Sequence, residues 1–487
     1  MMAMAPVVGR RHEQGLLQKI LGSRQSEFVA IYGRRRVGKT FLVRETCQNK
    51  GSYLEVTGIK NAPKKEQMRN FAEAFGKVFF DNIQVATPKD WREAFTHLKQ
   101  VIEKRKNKKK FILFFDELPW LATRKSGFLN VLDHFWNTWA SLRQDIVLIV
   151  CGSAASWMLE KIIHGKGGLY NRLTQIIRLL PFDLEETRQL LQTQGIFFTE
   201  KDILEIYMAL GGIPHYLSQI EKGQSVAQNI NRLCFQKNGA LFAEFETLYA
   251  SLFENSEDYI RVVKALAGSR NGLTRDKLLK VSGLKTGGGA KKIFTSLEEA
   301  GFIACMIPYG KKSNQQIYRL IDEYSYFYLK WIIKAPRGIF AEKNTNDWLM
   351  KANSPAWKSW AGFAFEGICL KHIHQIKKGL GISGVSSHNA MWRYFPKKKT
   401  EHGVQIDLLI DRMDQIISIC EIKFSQDVFV ITKKDAEELK RKIQVFRQKL
   451  KIKKTILLTM ITTFGIKENV YSHELVANEI TVSHLFS

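Results

Sequence analysis

Residues 33–40 read Gly33-Arg34-Arg35-Arg36-Val37-Gly38-Lys39-Thr40. This stretch fits G-x-x-x-x-G-K-[ST], the pattern of a loop whose backbone N–H groups wrap around phosphate. A short apolar, β-prone run precedes it at 28–32, and a helical pattern follows it from Phe41. Strand, loop and helix in this order are the context that such a loop needs, because the helix adds the positive end of its dipole. The sequence therefore predicts a phosphate-binding loop between a strand and a helix.

The loop pattern also predicts what its residues do. Lys39 would reach the β- and γ-phosphates of ATP, and the Thr40 hydroxyl would ligate Mg²⁺. The two glycines allow the backbone to curl so that its N–H groups converge on one anion. The residues expected to contact the nucleotide are Gly33, Arg34, Arg35, Arg36, Val37, Gly38, Lys39, Thr40 and Phe41. The alternative is an ordinary basic turn between a strand and a helix.

An acidic pair, Asp116-Glu117, ends the apolar run at 111–115. A buried parallel strand would bring both carboxylates to the sheet edge that carries the phosphate-binding loop. Asp116 would then help to hold Mg²⁺, and Glu117 would orient and polarise the attacking water. The pair therefore predicts ATP hydrolysis in addition to ATP binding.

Two further residues are candidates for the same site. Ser153 follows the apolar run at 146–151 and would hydrogen-bond the γ-phosphate or the water, or it is simply a polar strand end. Arg172 would stabilise charge on the transferred phosphoryl group, from its own chain or from the neighbouring subunit of a homo-oligomer. An ordinary surface arginine is the alternative for Arg172.

Length and composition restrict the kind of protein. The chain has 487 residues, too many for one core, so we expect about three domains. Its formal net charge of +27 favours a polyanionic partner, nucleic acid ahead of an anionic membrane surface, although such charge also serves solubility. Six scattered cysteines without a C-x-x-C pair fit a reducing cytosol. We find no signal peptide and no apolar run long enough to span a membrane, and therefore expect a cytoplasmic protein.

Periodicity divides the chain into parts of different character. Strand-like runs at 28–32, 52–56, 111–115 and 146–151 alternate with helical patterns, which predicts an α/β fold with a parallel sheet. From 184 to 255 the spacing is helical throughout, which indicates a helical lid.

Residues 257–322 read as three helices followed by a hairpin of 302–307 and 316–320. Three helices and a two-stranded wing are typical of a winged helix-turn-helix. Its lysines at 285, 291 and 292 would meet phosphates, but a role in protein contacts is an equal alternative.

Several motifs together resemble the archaeal-type ATPases of the STAND/AAA+ superfamily. They are Val8-Gly9-Arg10-Arg11-His12-Glu13, Asp116-Glu117, Gly152-Ser153, Asn171-Arg172, Leu180-Pro181-Phe182 and Gly211-Gly212-Ile213-Pro214-His215-Tyr216-Leu217. The resemblance extends from residue 7 to residue 220 and continues into the winged helix. It implies the P-loop NTPase fold, and it implies that the Gly-Gly-x-Pro turn, with Pro214, contacts the nucleotide from the lid.

A second candidate site lies in the last α/β part, whose strands we expect at 404–410, 416–422 and 455–460 with a helix at 433–451. If the first two strands form a hairpin, Asp407 lies beside Glu421, and alternation puts Lys423 on the same face as Glu421. Two carboxylates would bind Mg²⁺ or Mn²⁺. The metal would activate a water and polarise a scissile phosphate, with help from Lys423.

This D…E-x-K pattern resembles the PD-(D/E)XK nuclease superfamily and, more narrowly, the C-terminal domain fused to archaeal-type ATPases. The resemblance implies a restriction-endonuclease-like fold. It also makes Glu366, in the stretch Trp360–Glu366, a candidate metal ligand, although no proline precedes Asp407 as the pattern would have it. The alternative is a binding domain that keeps these acids as ion-pair partners.

Three basic runs are open to two interpretations. Those at 397–399 and 440–442 would support a DNA backbone or, for the second, form a solvated helix face. The run at 104–110 is interpreted first as a solvated helix end before a buried strand, with a contact surface as the alternative.

Four segments are thus predicted: a P-loop ATPase core at 1–182, a helical lid at 183–255, a winged helix-turn-helix at 256–324 and a nuclease-like domain at 325–487. The leading interpretation is a Mg²⁺-dependent ATPase that acts on nucleic acid, DNA in the first place, with a nuclease-like domain that would cleave it. The rival is a regulatory ATPase switch that controls a protein partner or self-assembly and whose nuclease-like domain is inactive.

Overall fold

A computed structural model describes residues 7–105, 109–164, 169, 171–269, 271–335, 347–352, 354–396 and 403–487. The basic stretch at 397–399 and residues 106–108 of the run at 104–110 lie outside these ranges. The chain divides into two compact units, Met1–Pro181 and Phe182–Ser487. Each unit is described by itself below.

The first unit contains a five-stranded sheet in which every neighbouring pair is parallel. Its strands are β1 (Glu27–Tyr32), β2 (Gly51–Thr57), β3 (Lys110–Asp116), β4 (Ile146–Gly152) and β5 (Gln175–Arg178). The strand order is β2-β3-β4-β1-β5, so the strand that leads into residues 33–40 lies between two neighbours. Strands β1, β3 and β4 are almost continuously apolar and buried, as expected for a parallel sheet covered on both faces.

Helices cover this sheet and build the core of the first unit. They are α1 (Arg11–Gly22), α2 (Lys39–Cys47), α3 (Lys64–Phe79), α4 (Trp91–Lys104), α5 (Leu118–Leu121), α6 (Phe128–Thr138) and α7 (Ala155–Met158). A dense aromatic cluster fills the space between helices and strands, with Trp91 packed edge-on against Phe128 at 4.6 Å between ring centroids. The predicted parallel α/β sheet is confirmed, and all four predicted strands are present within two residues of their predicted ends.

The second unit begins with helices alone, as the periodicity predicts. The helices of this unit are α8 (Leu184–Thr193), α9 (Glu200–Leu210), α10 (Pro214–Leu217), α11 (Val226–Cys234), α12 (Glu244–Leu252), α13 (Ser256–Ala267), α14 (Arg275–Ser282), α15 (Gly288–Glu299), α16 (Glu323–Lys330), α17 (Asp347–Lys351), α18 (Pro355–Lys371), α19 (Ile373–Gly379), α20 (Lys433–Leu450) and α21 (Val470–Leu475). Capping boxes at Asp183, Thr199 and Ser225 start α8, α9 and α11, which explains why these helices begin where they do.

A small antiparallel sheet is interleaved in sequence with helices α13, α14 and α15: its first strand precedes α14, and its other two follow α15. It contains β6 (Leu273–Thr274), β7 (Ile303–Met306) and β8 (Ile317–Leu320) in the order β6-β8-β7. Strands β7 and β8 form the predicted hairpin, and β6 is a third strand that the sequence did not suggest.

A second five-stranded sheet lies in the C-terminal part of the second unit. Its strands are β9 (Ser387–Tyr394), β10 (Val404–Arg412), β11 (Ile416–Lys423), β12 (Thr455–Thr462) and β13 (Val476–Thr481), in the order β13-β12-β11-β10-β9. Strands β9, β10 and β11 pair antiparallel, whereas β12 and β13 run parallel to β11. The strands β10, β11 and β12 were predicted; β9 and β13 were not. Within the described ranges, no helix is both long and apolar enough to cross a membrane.

Candidate nucleotide site and a second acidic site

The loop at residues 33–40 leaves the end of β1 and enters α2 directly at Lys39. Gly38 immediately precedes the helix with φ +93°, a left-handed conformation that L side chains rarely adopt. At Gly33 a Cβ atom would lie 2.2 Å from the carbonyl oxygen of Leu179, so only glycine fits. Both glycines of the pattern are therefore required by the backbone path, which puts the amino end of α2 at the loop.

The side chains of the loop hold it in a closed turn. The Lys39 ammonium donates hydrogen bonds of 3.0 Å to the carbonyl oxygens of Gly33 and Arg34. Arg10, from the segment before α1, donates to the carbonyl oxygens of Val37 at 3.4 Å and Leu180 at 2.5 Å. Lys39 and Arg10 are both buried, and each donates a hydrogen bond to a backbone carbonyl of the loop.

Asp116 and Thr40 meet at the carboxyl end of β3. The Thr40 hydroxyl donates a 2.7 Å hydrogen bond to Oδ2 of Asp116, across 76 positions of sequence. The backbone N–H of Glu117 donates to the other carboxylate oxygen at 2.9 Å. Asp116 is 3% exposed, so its charge lies in a site largely screened from water. A hydroxyl and a carboxylate placed side by side are oxygen ligands of the kind that Mg²⁺ prefers.

Glu117 leaves the strand in a left-handed conformation with φ 46°, which is uncommon for a residue with a side chain. Its carboxylate oxygen Oε2 accepts a 2.9 Å hydrogen bond from the hydroxyl of Ser153, one residue past β4. Strained backbone of this kind is found most often at functional sites. The structure thus brings together Lys39, Thr40, Asp116, Glu117 and Ser153 at one edge of the sheet.

Other predicted residues of this site are placed differently. The exposed Arg172 precedes β5, beside the start of β1, because the neighbouring Thr174 exchanges hydrogen bonds with Phe28. The loop follows the other end of β1, so the structure does not bring Arg172 to Lys39 within this unit. Arg35 and Phe41 are exposed.

Pro214 begins α10 in the second unit. Gly212 lies two residues before Pro214, and a Cβ atom there would lie 1.9 Å from the carbonyl oxygen of Phe182. The nucleotide contact implied for Pro214 stays a prediction.

The second acidic site lies on β10 and β11. Leu408 pairs with Cys420, so Asp407 and Glu421, the next residues on each strand, face each other as the hairpin predicts. Lys423 lies on the same face, with its ammonium 3.0 Å from Oε1 of Glu421. Burial and the neighbouring Glu421 carboxylate raise the pKa of Asp407.

Lys442 of α20 contacts the same carboxylate. Its ammonium lies 2.8 Å from both carboxylate oxygens of Glu421, and both side chains are buried. The prediction of a DNA contact or a solvated helix face at 440–442 is therefore wrong for Lys442. Its neighbour Lys440 does lie at the surface and pairs with Glu474 at 2.6 Å. Periodicity could have found this, because Lys442 shares the buried face of α20 with Leu439 and Phe446.

Glu366 on α18 joins this second site from another element. Burial and the charge of Asp407 raise its pKa to about 7, against the opposing effect of Arg319 on β8, whose Nη2 lies 3.4 Å from the Glu366 carboxylate. Among the residues that the structure describes, no three His, Cys, Asp or Glu side chains are grouped closely enough to hold a metal ion. Glu366, Asp407 and Glu421 therefore interact electrostatically, and their role as metal ligands stays a prediction.

Known proteins are similar to parts of this chain. Residues 8–220 match a family described as an ATPase domain predominantly from Archaea. An uncharacterized protein of Methanocaldococcus jannaschii, MJECL04, is 26% identical over 389 residues, which is 76% of this chain and 78% of that protein.

Solved structures show the same fold. The Walker-type ATPase PABY2304 of Pyrococcus abyssi superposes with a TM-score of 0.50 at 18% identity, over 66% of this chain and 96% of that protein. The ORC2 protein of Aeropyrum pernix gives a TM-score of 0.43 at 13% identity, over 72% of this chain and 97% of that protein. Residues 8–220 are thus similar to an archaeal-type ATPase domain, and the parallel sheet and loop geometry of the first unit agree with the P-loop NTPase fold of the Pyrococcus abyssi ATPase.

Proposed function

We propose that this protein is a Mg²⁺-dependent ATPase that acts on nucleic acid, with DNA as its polyanionic partner. The observation that carries the ATPase part is the convergence of Lys39, Thr40, Asp116 and Glu117 at the carboxyl edge of one parallel sheet. Each side chain has the chemistry that one step of phosphate binding and hydrolysis requires.

Each residue of the nucleotide site has a separate role in the proposal. The backbone N–H groups of residues 33–40 and the Lys39 ammonium bind the phosphates; an anionic phosphate oxygen is a stronger acceptor for this ammonium than the neutral carbonyls it now contacts. Thr40 and Asp116 hold Mg²⁺, which neutralises charge on the phosphates when bound. Glu117 accepts a proton from the attacking water, and Ser153 keeps its carboxylate in a fixed orientation.

Two features of the proposal extend beyond this sheet edge. Arg172 contributes charge stabilisation from a neighbouring subunit of a homo-oligomer, since it lies at the far end of β1 in its own chain. Pro214 and its turn contact the nucleotide from the helical lid. ATP binding would then move the lid, and with it the winged helix formed by α13 to α15 and the β7–β8 hairpin.

The nucleic-acid part of the proposal rests on charge and on the second acidic site. A net charge of +27 is the electrostatic footprint expected of a protein that binds phosphate backbones. The antiparallel pair β10–β11 presents Asp407, Glu421 and Lys423 in the arrangement that the resemblance to PD-(D/E)XK nucleases implies. Metal-dependent cleavage of DNA at these residues is the finer form of the proposal.

The carboxylates of the second site suit a divalent cation, but their contacts in the structure favour an ion pair with lysine. Carboxylate oxygens suit Mg²⁺ or Mn²⁺. Both oxygens of Glu421, however, already contact the Lys442 ammonium, which balances the charge that a divalent cation would balance. This contact favours a second candidate function, a regulatory ATPase switch whose C-terminal part binds a partner without cleaving it.

One experiment separates the two candidates. The purified full chain is incubated with plasmid DNA and Mg²⁺ or Mn²⁺, with and without ATP, beside the variant Glu421→Ala. The first candidate predicts metal-dependent cleavage that Glu421→Ala abolishes while ATP hydrolysis continues. ATP hydrolysis without any cleavage by the wild type would support the switch, and absence of ATP hydrolysis from both proteins would contradict both candidates.

A further inference from the structure

The tip of the β7–β8 hairpin packs against the C-terminal end of α20. The ring of Tyr309 lies on Phe446 of that helix, with 5.8 Å between ring centroids. Its hydroxyl donates a 2.9 Å hydrogen bond to Asp411 of β10. Gly310 is closely packed as well, because a Cβ atom there would lie 3.2 Å from the side chain of Leu450. The hairpin tip is therefore held beside the end of the helix.

Positive charge is concentrated where these two elements meet. From 439 to 454 the chain has eight Lys or Arg residues and no Asp or Glu. The hairpin tip at 307–316 adds Lys311 and Lys312 and contains no acid either. Residues 433–438, at the start of the same helix, have two lysines and three acids. The excess of cations thus belongs to one end of α20 and to the hairpin tip beside it.

Six of these cations are exposed, and together we call them the wing–helix surface. They are Lys311, Lys312, Arg447, Lys449, Lys451 and Lys453. The Lys449 ammonium lies over the ring of Tyr394, 4.4 Å from its centroid. The other five have no carboxylate partner within the described ranges. Their charges are therefore open to an anion that arrives from solvent.

Two acids adjoin the wing–helix surface, and each is paired with another cation. Asp411 accepts a 2.6 Å hydrogen bond from the Lys454 ammonium, in addition to the bond from Tyr309. Asp414, in the turn after β10, accepts a 3.0 Å hydrogen bond from Arg412. This turn lies beside Lys454, whose ammonium also donates to the Arg412 carbonyl oxygen at 2.8 Å. Neither acid therefore offsets the six exposed cations.

The usual roles of surface cations explain only part of this arrangement. Cations in the last turn of a helix interact favourably with its dipole, which accounts for Arg447 and Lys449. Lys311 and Lys312 belong to a different element and gain little from that dipole, whose effect is confined to the last turn. Solubility requires net charge but not its concentration in one place. Like charges brought together by two separate segments repel each other, and a bound anion would relieve that repulsion.

We propose that the wing–helix surface binds the phosphate backbone of duplex DNA and holds it close to the second acidic site. The inference rests on the proposed function, because it names the surface that retains the polymer. Arg447 lies five residues beyond Lys442, the partner of Glu421, which is about 8 Å along the helix axis. Duplex DNA has one phosphate charge per about 1.7 Å of its axis, so several phosphates can face the six cations at once.

An anionic membrane is a poorer match for the same charges. Membrane-surface helices insert an apolar face between lipid headgroups. The apolar face of α20 is already used, because Ala436, Leu439 and Phe446 are buried in the core of their own unit. A phosphate backbone needs no apolar contact of this kind, since counterion release supplies most of its non-specific affinity.

The test measures binding of a short fluorescein-labelled DNA duplex to the full chain by anisotropy, in EDTA, over a range of salt concentrations. One variant combines Lys311→Gln with Lys312→Gln, and a second combines Arg447→Gln with Lys453→Gln. Each should bind about tenfold more weakly than the wild type. The slope of log affinity against log salt should fall by up to about two in each, because one phosphate contact contributes about 0.9.

Two control variants remove the same charge elsewhere in the second unit. Lys222→Gln with Lys237→Gln changes two exposed lysines of the helical lid and should keep the wild-type affinity and salt slope. Lys285→Gln with Lys291→Gln changes exposed lysines near the start of α15, which the sequence suggested as phosphate contacts. All of the substituted side chains are exposed, so the thermal unfolding midpoints should match that of the wild type.

The outcomes separate this inference from the proposed function. Losses in the hairpin-tip and helix variants, with none in the lid variant, would support the wing–helix surface. Loss only in the α15 variant, or equal losses in all four, would overturn the inference and leave nucleic-acid binding standing. A wild type that binds no duplex at low salt would overturn both. Binding to vesicles of phosphatidylcholine and phosphatidylserine in place of duplex would show that the surface serves a membrane, and would also overturn the inference.

Discussion

The Thr40 hydroxyl and the Asp116 carboxylate form a 2.7 Å hydrogen bond between the first turn of α2 and the last residue of β3. The bond joins the two sequence motifs on which the nucleotide site depends. Ligands that are already in place need little rearrangement when a cation arrives. The residues of the site can be tested one at a time, because each has a separate contact in the structure.

Glu117→Gln should separate ATP binding from ATP hydrolysis. The amide keeps the size and hydrogen bonding of the side chain but cannot accept a proton from water, so the hydrolysis rate should fall about a hundredfold or more. ATP affinity should stay at the wild-type value, because Lys39 and the loop are untouched. Steady-state phosphate release and ATP titration measure the two quantities. A variant that hydrolyses ATP at the wild-type rate would remove Glu117 from the mechanism.

Ser153→Ala should lower the hydrolysis rate by less than Glu117→Gln does. The variant removes only the 2.9 Å hydrogen bond that orients the Glu117 carboxylate, and one such bond is worth about 1 kcal/mol, or about a fivefold change in rate. Ser156→Ala, three residues further on in α7, serves as the control. Equal rates for the Ser153 and Ser156 variants would indicate that Ser153 is simply a polar strand end.

Lys442→Met should destabilise the second unit. The change leaves the buried Glu421 carboxylate with Lys423 as its remaining ion-pair partner, and breaking a buried pair costs about 3 kcal/mol. Lys440→Met on the same helix breaks only the exposed pair with Glu474, which is worth less than about 1 kcal/mol. Calorimetric unfolding of the full chain compares the two, and similar losses for both variants would contradict the account of Lys442.

The Lys442→Met variant also tests whether the ammonium competes with a divalent cation for Glu421. If it does, Mn²⁺ titration followed by electron paramagnetic resonance should detect tighter binding to the variant than to the wild type. The double variant with Glu421→Ala should lose that gain. Wild-type protein that already binds Mn²⁺ through Glu421, with no change in Lys442→Met, would mean that the two cations do not compete.

Glu366 should make stability depend on pH. A glutamate carboxyl ordinarily has a pKa of 4.5, and burial beside Asp407 raises the pKa of Glu366 to about 7 in the folded chain. Between these values the folded chain binds more protons than the unfolded chain, so stability should fall as pH rises from 4.5 to 7. Glu366→Gln removes this dependence and should be more stable than the wild type at pH 8, with a smaller difference at pH 5. Parallel thermal melts that keep the same difference at both pH values would contradict the shifted pKa.

The sequence predicted the nucleotide edge well because local patterns determine it. A buried parallel strand is continuously apolar, and β1, β3 and β4 have that pattern, so their ends and the polar residues after them could be located. Strand β5 has four residues and alternates between exposed and buried positions at the edge of the sheet, which leaves little signal. Strands β9 and β13 are also edge strands with partly exposed faces, and both were missed.

The sequence alone could not predict which residues form long-range ion pairs. Lys442 and Glu421 are 21 positions apart, and only the packing of α20 on the sheet brings them together. Periodicity puts Lys442 on the buried face of α20, but it does not identify Glu421 as the partner of its ammonium.

The central claim is that the loop at residues 33–40 binds ATP through Lys39, and calorimetric titration of ATP with Mg²⁺ into the full chain tests it most directly. We expect saturable binding to the wild type and to Lys50→Ala, an exposed lysine of the same unit, and loss of most of that binding in Lys39→Ala. The absence of binding heat from the wild type, or equal affinity in the Lys39 variant, would contradict the account.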